Sequence, residues 1–129
     1  MPETSLKKTI LVVEDDKILG KFMVDLLEEE LNAQVLLALN GRQALTVIET
    51  VKPDLFVLDY QLPDMNGLHL YDRLHALEEL KDVPALVVSA NAPIEEIRRR
   101  HLSFLPKPFD LDELILLIQQ LLAKEKISC

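Results

Sequence analysis

Leu55-Phe56-Val57-Leu58-Asp59-Tyr60-Gln61-Leu62-Pro63-Asp64-Met65-Asn66-Gly67 is an apolar run that stops on a carboxylate and passes into loop-forming residues. A short apolar run bounded by turn chemistry reads as a strand buried on both faces. The same shape recurs along the chain: Ile10-Leu11-Val12-Val13 runs into Glu14-Asp15-Asp16, Leu86-Val87-Val88 into Ser89, and Phe104-Leu105 into Pro106-Lys107-Pro108. Between these runs the apolar spacing becomes helical. Asp16 is placed to cap a helix whose apolar face is Leu19, Phe22, Met23, Leu26 and Leu27. A strand over Ala33 to Leu39 leads through Asn40-Gly41 into a helix carrying Ala44, Leu45, Ile48 and Val51, which Lys52-Pro53-Asp54 breaks. Leu70, Tyr71, Leu74 and Leu77 mark a third helix, and Ala85 to Val88 a fourth strand. A short helix after Pro93, a fifth strand from about Leu102 and a last helix from Asp110 to about Lys124 complete the chain. The last helix turns Leu111, Leu114, Ile115, Ile118, Leu121 and Leu122 inward, with Leu116 nearly opposite and Leu117 at the flank. Strands alternating with helices predict an α/β fold with a parallel sheet covered on both faces.

In such a sheet the carboxyl ends of the strands share one edge, and ligands bind beyond that edge. Glu14, Asp15, Asp59, Ser89 and Lys107 would then meet in one pocket. Three clustered carboxylates repel one another, by about 4 kcal/mol per pair at ~4 Å and an effective dielectric of ~20. A hard divalent cation relieves that cost, and Mg²⁺ suits carboxylates, waters and a phosphate oxygen. With a lysine and a hydroxyl added, the set fits phosphoryl transfer, and a carboxylate is able to act as the nucleophile. Taken one at a time, Asp15 and Asp16 read equally well as helix caps and Lys107 as a solvated lysine. It is their joint placement at successive strand ends that points to a site.

The totals agree with a single domain. The chain has 129 residues, 49% apolar and 28% charged, an ordinary globular balance. A net charge of −8 argues against direct binding to nucleic acid or to an anionic membrane. The one cysteine is Cys129, so no internal disulfide forms. Met1 to Lys8 is polar and lacks the apolar core of a secretory signal, and no apolar stretch approaches the ~20 residues of a membrane span. A cytoplasmic protein is expected. His69, His75 and His101 lack metal-ligand spacing and read as surface or structural residues.

The chain resembles the receiver domain of two-component response regulators, the chemotaxis-regulator-like type. The motifs that carry the resemblance are Ile10-Leu11-Val12-Val13-Glu14-Asp15, Leu58 through Gly67, Val87-Val88-Ser89-Ala90 and Pro106-Lys107-Pro108-Phe109. It implies a doubly wound five-stranded sheet of flavodoxin-like order 2-1-3-4-5, with one receiver domain over residues 1–129 and its core at about 8–125. It implies that Asp59 is the phosphoacceptor and that Asp15 and Asp59 ligate Mg²⁺ directly, with Mn²⁺ able to substitute. Glu14 would act through a water and Gln61 through its backbone carbonyl. Ser89 and Lys107 would contact the phosphoryl group, and Phe104 would sit at the switch-aromatic position, the alternative being a plain core residue of strand five. The resemblance also implies a cis Lys107–Pro108 bond, an open path beside Ala90, and a tuning role for Gln61 and Asn91 in phosphoryl lifetime. Asp16 falls outside the acidic pair and stays a cap. The implied partner is a sensor histidine kinase or a histidine phosphotransfer protein, with no enzymatic turnover beyond the domain's own phosphorylation and dephosphorylation.

The chain departs from the family between Ser89 and Lys107, where the segment is short and has no glycine. A short or mobile fourth helix anchored only by Ile94 and Ile97 is expected there. Arg98 to Arg100 would be either a docking patch for an acidic partner or a solvated helix end. Leu116 and Leu117 suggest a homodimer through helix 4, strand 5 and helix 5. Three other readings compete. A haloacid-dehalogenase-like phosphatase wants an aspartate where Gln61 stands. A flavodoxin-like cofactor binder would find Glu14-Asp15-Asp16 repelling its phosphate. A receiver-like scaffold that accepts no phosphate would have no use for so complete a pocket.

Overall fold

The computed structural model describes residues 7–124, so the two chain ends, including Cys129 and the outermost parts of the expected 1–129 domain, lie outside the described residues. The elements are β1 (Thr9–Val13), α1 (Lys17–Leu31), β2 (Gln34–Ala38), α2 (Gly41–Val47), β3 (Leu55–Leu58), α3 (Gly67–His75), β4 (Ala85–Ser89), α4 (Ile94–Arg99), β5 (Ser103–Pro106) and α5 (Leu111–Lys124). The strands form one sheet of order β2-β1-β3-β4-β5 with every pairing parallel, the doubly wound arrangement expected. Side-chain alternation sorts the central strands into two cores. Ile10, Val12, Leu55, Val57, Leu86, Val88 and Leu105 face α1 and α5, while Leu11, Val13, Phe56 and Leu58 face α2 and α3. Among the described residues no helix is long and apolar enough to cross a membrane.

Four helices start on side-chain caps that satisfy otherwise orphaned amides, α5 through Asp110, which accepts from the Asp112 N–H at 2.9 Å. Asp16 accepts from the Ile18 and Leu19 N–H groups at 3.0 and 3.1 Å, Asn40 from Gln43 at 2.8 Å, and Asn66 from His69 at 2.7 Å. The free edge of β2 is also covered. The Glu28 carboxylate accepts from the Val35 N–H at 3.4 Å, and the Gln43 side chain from Leu39 at 2.8 Å.

Several expected details change. Phe22, placed on the inner face of α1 by spacing, is 45% exposed, and Leu111 of α5 is 40% exposed; both line an open concavity with Pro108 and Phe109 instead of joining the core. Val51 lies past the end of α2, and Leu77 past the end of α3 on the surface. Leu116 is exposed as expected, whereas Leu117 packs against the α1–α5 core.

The fourth helix is short, at six residues, and begins at Pro93 with no side-chain cap. Its apolar anchor is Ile97 alone, 2% exposed, since Ile94 faces solvent. It ends in a Schellman motif, with Leu102 N–H on Ile97 O at 3.2 Å and His101 N–H on Arg98 O at 2.9 Å. That motif needs a left-handed residue, and His101 supplies it at φ 58° where glycine is the usual choice. Arg98 and Arg99 pair with Glu95 and Glu96 at 3.6 and 3.0 Å, so this is a solvated, internally neutralised helix end rather than a bare basic patch. His75 stacks on Tyr71 with ring centroids 5.0 Å apart, a structural role.

Candidate functional site

The sheet delivers the site residues by running its ladder one step past each strand. Glu14 N–H bonds to Ala38 O and Asp59 N–H to Val13 O, both at 3.0 Å, and Lys107 N–H bonds to Ser89 O at 3.1 Å. The backbones of Glu14, Asp59 and Lys107 are thus each fixed by a neighbouring strand. Glu14, Asp15, Asp59, Ser89 and Lys107 all arrive at the one edge.

Lys107 Nζ bridges the two buried acids, donating to Glu14 Oε1 at 2.9 Å and to Asp59 Oδ2 at 3.1 Å. The other oxygens are held by backbone. Glu14 Oε2 accepts from Asp16 N–H at 3.1 Å and Asp59 Oδ1 from Gln61 N–H at 3.2 Å. Glu14 is 3% exposed and Asp59 7%, so neither carboxylate is well solvated. Burial pushes the Glu14 carboxyl above its ordinary value, and the hydrogen bonds from Lys107 and Asp16 offset only part of that. Burial alone would pull Lys107 down, but its bonds to Glu14 and Asp59 outweigh it and hold the ammonium above its usual value. Lys107 therefore stays charged at neutral pH. The Lys107–Pro108 bond is cis, as expected.

Glu14, Asp15 and Asp59 each bring an oxygen within 4.8 Å of the other two, Asp15 from the exposed side. An all-oxygen donor set carrying more negative than positive charge fits a hard divalent cation and not a soft one. Ser89 is buried at the end of β4, and its Oγ accepts from Asn91 N–H at 3.4 Å. Phe104 is half-buried, packed with Tyr60 and Leu102 against Leu68, Val87 and Ile97, so it is not a sealed core residue. The Asp16 side chain remains a helix cap, and only its backbone N–H serves the pocket, through Glu14 Oε2.

Two residues that matter to the pocket were not among those singled out from the sequence. Gly67 N–H closes the loop after β3 onto Tyr60 O at 2.7 Å, and a Cβ there would overlap the Asp59 carbonyl oxygen. The sequence signal was present, a glycine directly after a capping asparagine, but its reason is a contact made across the loop. Asp64 accepts from the Gly41 and Arg42 N–H groups, both at 2.9 Å, tying that loop to the start of α2. Burial works against its charge, yet those two bonds leave its carboxyl below the usual range. No local pattern announces such a cap.

The response regulator receiver domain profile matches residues 10–119. The chain is 35% identical over 122 residues to the "Uncharacterized 14.6 kDa protein in sodA1 3'region" of Leptolyngbya boryana, covering 92% of each. It is 34% identical over 113 residues to the "Transcriptional regulatory protein CrdR" of Helicobacter pylori, using 84% of this chain and 52% of that one. It thus spans nearly all of one relative and about half of the other. Among solved structures, the non-phosphorylated HemR receiver domain of Leptospira biflexa superposes with a TM-score of 0.79 at 33% identity, covering 91% of this chain and 95% of that one. With the sheet order and the acidic edge already in place, the match over residues 10–119 is decisive: the chain belongs to the response regulator receiver domains, the phosphoacceptor signalling domains of two-component pathways.

Proposed function

We propose that Asp59 accepts a phosphoryl group from a phosphohistidine on a sensor histidine kinase or a histidine phosphotransfer protein. The observation that carries this reading is Lys107 Nζ held between Glu14 and Asp59 in a nearly buried pocket. Of the three acids, Asp59 alone stands at the end of the central strand, between the β1 acids and the β4 hydroxyl. Glu14 and Asp59 each have both oxygens engaged, Glu14 being the more deeply buried of the two, and Asp15 lies at the rim. In the transfer, an Asp59 oxygen forms a bond to phosphorus as the phosphorus–nitrogen bond of the donor breaks, its electron pair leaving with the imidazole. Lys107 and the Ser89 hydroxyl take phosphoryl oxygens. Asp15, Asp59, Glu14 through a water and the Gln61 carbonyl would hold Mg²⁺, with Mn²⁺ as a substitute. The cation neutralises charge that Lys107 alone does not balance. Phe104 changes its packing as Ser89 moves, altering the face built from α4, β5 and α5.

A macromolecular donor is supported by the apolar rim beside the pocket. Phe22, Phe109, Pro108 and Leu111 line a concavity of about 490 Å³ that adjoins Lys107 and Ala90. The net charge of −8 gives no reason to add a nucleic-acid partner. On this reading residues 1–129 are one receiver domain that acts in the cytoplasm and itself turns over no separate substrate. Exposed Ile94 and Leu116 support a homodimer through α4, β5 and α5. Sedimentation velocity with and without beryllofluoride tests that, and a monomer in both states ends it.

The central test is incubation with acetyl phosphate and Mg²⁺ followed by intact mass. Wild type should gain one phosphoryl group and Asp59→Asn none. Equal labelling of the two, or none in either, overturns the assignment.

A further inference from the structure

Arg100 closes α4 in a way that reaches beyond its own helix. Its Nε and Nη2 donate to the two carboxylate oxygens of Asp72 on α3, both at 2.8 Å. Its Nη1 donates to Glu96 O at 2.9 Å and to Glu96 Oε1 at 3.1 Å. Bidentate, charge-assisted contacts of this kind fix orientation as well as distance. Ile97 is the one buried apolar residue of α4, and the fork adds a second tie between the end of this helix and α3.

The helix is mechanically joined to the pocket. Only residues 90–93 separate Ser89 from α4, and within them Asn91 N–H rests on Ser89 Oγ. Ile97 packs in the same cluster as Val87 of β4, Leu68 of α3 and Phe104 of β5. A Ser89 hydroxyl that leaves Asn91 for a phosphoryl oxygen pulls on a segment whose far end is clamped to α3.

We propose that Arg100 is a positioning residue for phosphoryl acceptance: by clamping α4 to Asp72 it opposes the movement of the Ser89 loop and so lowers the affinity of the pocket for a phosphoryl group. This rests on the reading of Asp59 as the phosphoacceptor. Opposition rather than support follows from the connection itself: the four-residue link from Ser89 leads straight into α4, and the Arg100–Asp72 fork holds the far end of that helix to α3, so the loop moves only by working against the fork.

The test is calorimetric titration of the full chain with beryllofluoride in saturating Mg²⁺, comparing wild type, Arg100→Ala, Asp72→Ala and the double variant. Each single variant should bind the mimic about threefold to tenfold more tightly, and the double variant no more tightly than Arg100→Ala, which already removes the contact with Asp72. Mg²⁺ affinity measured without beryllofluoride should stay at the wild-type value, which a loosened fold would not allow. Arg100→Lys, which keeps one contact, should fall between, and it stands in if the alanine variant fails to fold. Unchanged or weaker binding of the mimic in folded variants, or additive effects in the double variant, overturns the proposal. Wild type that binds no more mimic than Asp59→Asn overturns the reading of the site, and the clamp's role with it.

Discussion

At the scale of single residues, the site depends on positions whose roles differ sharply in kind. Gly67 is required by space, not by backbone angle, since any Cβ meets the Asp59 carbonyl. Gly67→Ala should cost about 2 kcal/mol or more in urea unfolding and also slow acetyl-phosphate labelling, because the loop relieves the overlap by moving Asp59. His101 is the opposite case. It fills a left-handed position at the end of α4, so His101→Gly should stabilise the protein by about 0.5–1 kcal/mol. A neutral or destabilising result would mean that the imidazole makes up the strain elsewhere. The strand-end residues Glu14, Asp59, Ser89 and Lys107 were legible because an apolar run that stops on a polar residue marks both a strand and its exit. Asp64 and Arg100 were not, because their partners lie 23 and 28 positions away and nothing local distinguishes them from solvated side chains.

At the scale of elements, helical spacing gave the faces of α1 and α5 but not which apolar residues on those faces stay exposed. Met23 and Phe22 are adjacent and both apolar, yet Met23 is buried and Phe22 is not. Met23→Ala should cost about 2–5 kcal/mol, whereas Phe22→Ser should cost about 1 kcal/mol or less, as read from denaturant midpoints. The α3–α4 contact has a pH signature. The hydrogen bonds from Arg100 hold the Asp72 carboxyl below its ordinary 3.8. A depressed carboxyl contributes stability that is full above the unfolded value and lost as pH falls through the folded one. The stability gap between wild type and Asp72→Asn should therefore be constant from pH 7 to about pH 5 and shrink below pH 4. A gap that grows on acidification would show that the carboxylate is not what holds α4. The brevity of α4 was readable from the short, glycine-free segment, but its anchorage was not, since burial of Ile94 and Ile97 was expected and only Ile97 is buried.

At the scale of the whole molecule, the parallel sheet explains why residues spread from position 14 to position 107 act together. Strand order places β3 in the middle, so its terminal acid can be reached from β1 on one side and from β4 on the other. Alternation of strands and helices was enough to predict the sheet, because parallel neighbours demand crossovers and crossovers cover both faces. The family resemblance supplied the order of the strands. What the sequence could not supply was the apolar rim of Phe22 and Leu111 beside the pocket, or the side chains that meet the outer boundary of the sheet.

That outer boundary has one further consequence. Every open sheet ends in a strand with amides pointing outward, and such a margin invites a strand from another molecule to add itself. On β2, Glu28 and Gln43 already occupy the Val35 and Leu39 amides, so an incoming strand would first have to displace them. The carboxylate also meets the backbone carbonyls of any such strand with like polarity. On the β2 side, strand addition therefore costs two existing hydrogen bonds before any new one forms.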